Sequence, residues 1–355
     1  MKLTAKPEPN FERLRRALTC QGELDRAPLL ELFADHEIIA EVMGVDRATP
    51  LDRIEQERWT RLTAQFWYEL GYDAFMIGTS PALQLKRIAA DDTAPLPHTQ
   101  RSWHAADVGV ILNWEDFERY PWPRPEDADF SQIELAARII PEGMKILGNV
   151  GGSLEPVMWL MGYAPFAVAL YEDPALIEAM LEKVEAYGVP VAEALMDMDC
   201  VGGLFIGDDM GFKTATMIAP EHLRQYFFPY HKRLAALAHE HGKVYILHAC
   251  GNLEAIMDDL IDDVRIDAKH SYEDAIMPVV DFKKKYGGRI GVVGGIDVDF
   301  LCRATEAEVR ARTRQTLDAC MPGGGYVLGT GNSVANYIPV RNFLAMVDEG
   351  HRWRP

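Results

Sequence analysis

The chain has 355 residues, 48% hydrophobic and 25% charged, the proportions of an ordinary globular protein long enough for one large domain. Lys plus Arg number 36 against 54 Asp plus Glu, a net charge of −18, which excludes the basic face that nucleic acid requires. No apolar run reaches the roughly 18 residues of a membrane helix, and the opening MKLTAKPEPNFERLRRALTC lacks the apolar stretch of a secretory signal, so no membrane and a cytoplasmic location are expected.

A helical segment over 1–24 opens the chain. Strands are then expected at 27–34, 72–78, 145–152, 201–209, 243–250, 264–270, 289–297 and 325–332. These runs are nearly continuous in apolar residues, the pattern of strands covered on both faces. Gly71, Gly242 and Gly287 close helices where a left-handed backbone is expected, each just before a strand. The stretch 79–144 reads as an excursion with a short hairpin and a helix. In the helix over 220–241, Leu223, Phe227, Leu234, Leu237 and His241 recur at helical spacing, and Pro229 predicts a kink or restart. Strands alternating with helices predict an α/β fold, a single (β/α)₈ TIM barrel over 1–355, with an open doubly wound sheet as the alternative.

The five cysteines, Cys20, Cys200, Cys250, Cys302 and Cys320, are odd in number and scattered, which excludes a disulfide framework. In either α/β architecture ligands bind beyond the carboxyl ends of the strands. Those ends carry Asp35 and His36, Ser153 and Glu155, Asp208 and Asp209, His248 and Cys250, Lys269 and His270, Asp297, and Asn332. Residues two apart on a strand share a side, so His248 and Cys250 face one point. Imidazole and thiolate are both zinc ligands, although the pair also reads as a packed histidine beside a buried thiol. Asp208 and Asp209 are adjacent, so only one can enter the mouth; the other is free to cap a helix. Met158 and Trp159 read as core or pocket wall. The glycines at 323–325, 329 and 331 lack nucleotide-loop spacing.

From Val201 to Met346 the chain resembles the uroporphyrinogen decarboxylase superfamily. The resemblance rests on FIGDDMGFKTATMIAPEHLRQYFFPYHKRL, LHACGNL, DAKHSYEDAIMP, GVVGGIDV and PGGGYVLGTGNSVANYIPVRNFLAMV, and extends more loosely to FERLRRAL…DRAPLLELF. It implies a single (β/α)₈ barrel. The decarboxylase branch carries an arginine-rich clamp after the first strand, where this chain reads LLELFADHEII. It also carries a histidine in the last glycine-rich loop, which reads GTGNSVANYIP here. Asp73 is the candidate match to the decarboxylase aspartate. The cobamide-dependent methyltransferase branch shares the His-x-Cys pair, which binds zinc there, with a cysteine of the last loop as third ligand. Asn332 stands at that position here, so a carboxylate (Asp208, Asp209 or Glu155) is expected to complete the set.

The resemblance therefore implies a zinc enzyme moving a methyl group between a small methylated substrate, such as a methoxylated aromatic, and a corrinoid protein carrying a cobamide. A homodimer is the candidate assembly. The expected metal ligands are His248, Cys250 and Glu155. Asp208, Asp209 and His270 are expected to be catalytic, and His36, Met158, Trp159 and Asn332 to bind substrate. The alternatives are a metal-free decarboxylase, and a non-catalytic module binding a corrinoid or tetrapyrrole.

Overall fold

Seven of the expected runs become strands of one parallel sheet. The computed structural model describes residues 7–46, 54–81, 83–85, 87–89, 102–104 and 109–355. In chain order, α1 (Phe11–Leu18), α2 (His36–Met43) and α3 (Gln56–Glu69) precede β1 (Ala74–Gly78). The excursion holds the antiparallel pair β2 (Arg87–Ala89) and β3 (Ser102–His104), then α4 (Trp114–Arg119) and α5 (Ser131–Ile139). There follow β4 (Lys145–Asn149), α6 (Leu154–Met161), α7 (Tyr163–Glu172), α8 (Pro174–Met196) and β5 (Val201–Gly207). A short α9 (Pro220–His222) leads to α10 (Phe228–Glu240) and β6 (Val244–His248). The rest is β7 (Ala268–His270), α11 (Val279–Tyr286), β8 (Gly291–Val293), α12 (Val298–Arg303), α13 (Glu306–Cys320), β9 (Tyr326–Val327) and α14 (Val340–Arg352).

The sheet order is β1-β4-β5-β6-β7-β8-β9, all parallel, a curled TIM-barrel-like arrangement with helices between strands. Leu204, Phe205, Ile246 and Leu247 are fully buried, as strands covered on both faces require. The run at 27–34 pairs with the segment after β9 only at isolated points, Leu29 with Leu328 and Ala34 with Val334. Between these points the Thr330 N–H, a natural ladder donor, goes to the Glu31 side chain at 3.0 Å instead of a backbone carbonyl. A carboxylic side chain thus takes the place of one rung, and a regular strand does not form. Among the described residues no backbone hydrogen bond joins this run to β1. A cavity of about 610 Å³ is lined by both, including Leu32, Phe33 and Ala34 on one side and Phe75, Ile77 and Gly78 on the other.

Pro229 produces the expected restart. Residues Leu223–Phe227 form one wide π turn before α10 begins at Phe228. Gly71 and Gly242 have the expected positive φ of 76° and 66°. Gly287 does not, since its φ is −67°. Space rather than backbone angle fixes glycine there, because a Cβ would lie 2.6 Å from the Lys283 carbonyl oxygen. The excursion and the opening segment are found in part, and their remaining residues lie outside those described.

Candidate metal centre

Register sets the site. Gly207 pairs with His248, and His248 pairs with His270, so three strands end at one level. Two glycines let the loops beyond them meet. A Cβ on Gly211 would lie 2.6 Å from the Cys250 carbonyl oxygen, and one on Gly251, at φ 82°, would lie 2.2 Å from the Gly211 backbone. Asp209 and Cys250 are brought together by this close approach, with the Cys250 N–H donating to Asp209 Oδ1 at 2.7 Å.

Alternation sends Asp208 the other way. Its buried carboxylate accepts from the N–H groups of Ser153, Leu154 and Glu155 at 2.8, 3.0 and 2.8 Å, at the start of α6. His231 Nε2 lies 2.8 Å from the same carboxylate, and His231 Nδ1 is 2.7 Å from the Tyr245 hydroxyl. Burial opposes the Asp208 charge, but His231 and the helix N–H groups outweigh it and hold the carboxyl below its usual range. Asp208 therefore anchors α6. The catalytic role expected for it is corrected by geometry, because every part of its carboxylate is engaged beneath the mouth.

Among the described residues one group could hold a metal ion: Asp209, His248 and Cys250, with ligand atoms all within 4.8 Å of one another. His248 Nε2 is 3.5 Å from Asp209 Oδ1 and 3.4 Å from Cys250 Sγ. A carboxylate oxygen, an imidazole nitrogen and a sulfur converge without a counter-cation among them. That donor set fits zinc with one position open. Glu155, expected as a ligand, falls outside the group. It sits behind Asp209, where burial and the charges of Asp209 and Asp208 raise its carboxyl well above the usual range. Asp209, expected as an acid or base, falls within the group that could hold a metal ion.

Burial, reinforced by Asp209, pushes the Cys250 thiol up to about 12. Ser271 Oγ at 3.4 Å and Asn332 Nδ2 at 3.2 Å both donate to its sulfur. The Asn332 amide is oriented unambiguously, because its Oδ1 accepts the Ser333 N–H at 2.7 Å. Its nitrogen faces Cys250, so Asn332 supports the sulfur and is not a ligand. Burial lowers His248 to about 4, and burial with His248 and Lys269 lowers His270 well below the usual range, so both imidazoles are neutral. His270 is buried, with Nδ1 2.7 Å from His248 Nδ1. It touches a ligand from behind and is not presented to the mouth.

His36 lines the 610 Å³ cavity, edge-on to Trp59 at 4.3 Å. Phe33 and Asp35 also border a second cavity of about 510 Å³, which reaches Asn332, Tyr272 and Tyr337. Among the described residues neither cavity has a lysine or arginine in its lining. Met158 and Trp159 are half-buried on α6, three and four residues after Glu155 and so on its face. Asp73, the candidate decarboxylase aspartate, lies at the opposite end of the sheet, just before β1. It is buried against Arg13 at 2.5 Å. Sequence reasoning missed Glu31, Thr330, Ser271 and His231, whose partners are distant in the chain; a buried acid inside an apolar run was the one available signal, at Glu31.

The chain is similar to known proteins over most of its length. Over 99% of this chain and 92% of its own length, a uroporphyrinogen decarboxylase of Anaeromyxobacter dehalogenans is 21% identical. A methylcobamide:CoM methyltransferase, MtaA of Methanosarcina barkeri, is 24% identical over 61% of this chain and 60% of its own. A methyltransferase structure from Methanosarcina mazei superposes with a TM-score of 0.71 at 19% identity, over 97% of this chain and 99% of that one. The family model for uroporphyrinogen decarboxylase matches residues 55–353. With that match covering the sheet from β1 to β9 and the site at its carboxyl end, the chain belongs to the uroporphyrinogen decarboxylase family.

Proposed function

We propose that this protein is a zinc-dependent methyltransferase that moves a methyl group between a small methylated substrate and a corrinoid protein. The observation that carries the reading is the convergence of Asp209, His248 and Cys250 at the carboxyl end of the sheet. We read the sheet as a (β/α)₈ barrel closed across residues 28–34, one domain over the whole chain. Zinc held by the three residues would act as a Lewis acid on the substrate's oxygen or sulfur. His248 offers its Nε2 lone pair, Asp209 a carboxylate oxygen, and Cys250 a sulfur steadied by Ser271 and Asn332. The half-buried Met158 and Trp159, and the exposed His36 in the 610 Å³ cavity, are the side chains that would position a methoxylated aromatic. The corrinoid protein would approach from the open mouth, since the reactive cobalt must reach the substrate.

The decarboxylase alternative draws on the full-length relative. It needs cationic side chains for a polycarboxylate, and among the described residues the linings of these two cavities include no lysine or arginine. The test is an assay of methyl transfer from methoxylated aromatics to a reduced corrinoid protein. Activity in the zinc-loaded protein, lost in Cys250→Ser, is expected. Metal-independent release of carbon dioxide from a porphyrinogen would contradict the proposal.

A further inference from the structure

Thr330 touches both halves of the site through two different groups. Its carbonyl oxygen lies 3.3 Å from His270 Nε2. Its hydroxyl lies 2.6 Å from Glu31 Oε2 and 2.5 Å from the Asn332 carbonyl oxygen. Counting hydrogens assigns the donors along both arms.

On the first arm, a carbonyl can only accept, so His270 donates from Nε2. His270 is fully buried, and its ring nitrogens meet only the Thr330 carbonyl and His248, with no carboxylate among its hydrogen-bond partners, so the ring carries one proton and Nδ1 is left as an acceptor. The 2.7 Å contact with His248 then requires His248 to donate from Nδ1. His248 Nε2 is left as a bare lone pair, turned toward Asp209 and Cys250.

On the second arm, the Thr330 hydroxyl has one hydrogen and two close oxygen partners. The Asn332 carbonyl has no hydrogen to give, so Thr330 donates to it. The other contact must be donated by Glu31 as a carboxylic acid. The rest of Glu31 agrees. Its Oε1 accepts from the Tyr72 hydroxyl at 3.3 Å, and the Thr330 N–H lies 3.0 Å from both Oε1 and Oε2, contacts that a carboxylic acid accepts while Oε2 gives its hydrogen to the Thr330 hydroxyl. Glu31 is buried, and no base is among its hydrogen-bond partners.

We infer that Thr330 is the positioning residue of the metal centre. Its carbonyl fixes His248, through His270, in the tautomer that presents Nε2. Its hydroxyl, clasped by a protonated Glu31, holds the Asn332 backbone so that the Asn332 amide supports Cys250. Residues 31 and 330 stand 299 positions apart, so the clasp also ties the irregular first run to the last loop of the mouth. This rests on the metal reading above, but its hydrogen assignment does not.

The experiment has two arms on the full-length chain. In the metal-free protein labelled with nitrogen-15 histidine, long-range proton–nitrogen correlation reads the His248 tautomer. A proton on Nδ1 is expected in wild type and Thr330→Val, and its loss in His270→Phe. In chelator competition, Thr330→Val is expected to bind zinc about tenfold more weakly, the low end for groups that orient metal ligands. Thr330→Ser, which keeps the hydroxyl, should bind close to wild type. A His248 proton on Nε2 in wild type, or equal zinc affinity in Thr330→Val and wild type, overturns the inference. If wild type binds no zinc, the metal reading fails, and the tautomer alone decides the positioning role.

Discussion

Asp73 and Asp209 are both acids at the end of a strand, and the protein treats them in opposite ways. At the amino end, Asp73 is 1% exposed and paired with Arg13 through two nitrogens, at 2.5 and 3.1 Å, with the Asn10 N–H at 2.8 Å. Burial raises its carboxyl, and Arg13 opposes the shift. At the carboxyl end, Asp209 meets His248, Cys250 and the acidic Glu155. Among the described residues no lysine or arginine pairs with it, and the His248 imidazole 3.5 Å away is neutral. The nearest buried lysine, Lys269, is lowered to about 8 by burial, and its ammonium hydrogen-bonds the Ser271 carbonyl. One end carries its own counter-ion and is built for stability. The other leaves a negative site for something that binds, as expected where barrel enzymes place their chemistry.

Three substitutions break or sharpen this contrast. Asp73→Ala leaves the buried Arg13 without its partner and should cost about 3–5 kcal/mol in denaturant unfolding, with zinc affinity unchanged. Asp209→Asn should do the reverse. Zinc affinity falls by about 100-fold or more, about 2.8 kcal/mol, while the unfolding midpoint of the metal-free protein holds. The third substitution, at Glu31, is read as a slope against pH rather than as a loss at one pH. Burial pushes it up to about 8 from 4.5, so between those values the folded chain keeps a proton that the unfolded chain releases. Its stabilising contribution is complete below about pH 4.5 and is lost as pH rises through about 8, by up to about 1.4 kcal/mol per pH unit. In Glu31→Gln the pH dependence of unfolding across that window should flatten; an unchanged slope would mean that Glu31 is ionised in the fold.

The parts of this molecule that were legible in sequence are those fixed by local rules. Apolar runs closed by glycines located the strands, and the two-residue spacing placed His248 and Cys250 on one side. Alternation also implied that Asp208 and Asp209 must separate, but which faced inward depended on α6, whose N–H groups and His231 claim Asp208. Glu155 reads as a ligand because it shares that neighbourhood, yet the group whose donor atoms converge is Asp209, His248 and Cys250. The candidate match of Asp73 to the decarboxylase aspartate carries no information on which end of β1 it occupies, and the structure puts it at the amino end against Arg13. The break in the first strand was hidden for a different reason. It depends on Glu31 reaching Thr330, a contact that no local pattern encodes. Asn332 shows the same limit, since its position was readable but the direction of its amide was set by Ser333.

The central claim is that Asp209, His248 and Cys250 hold a zinc ion. The most direct measurement is the metal content of the purified full-length chain by elemental analysis, for wild type and His248→Ala. One zinc per chain in wild type, and loss of most of it in the variant with the fold intact by circular dichroism, is the predicted result. No zinc in wild type after incubation with the metal, or zinc unaffected by the substitution, would contradict it.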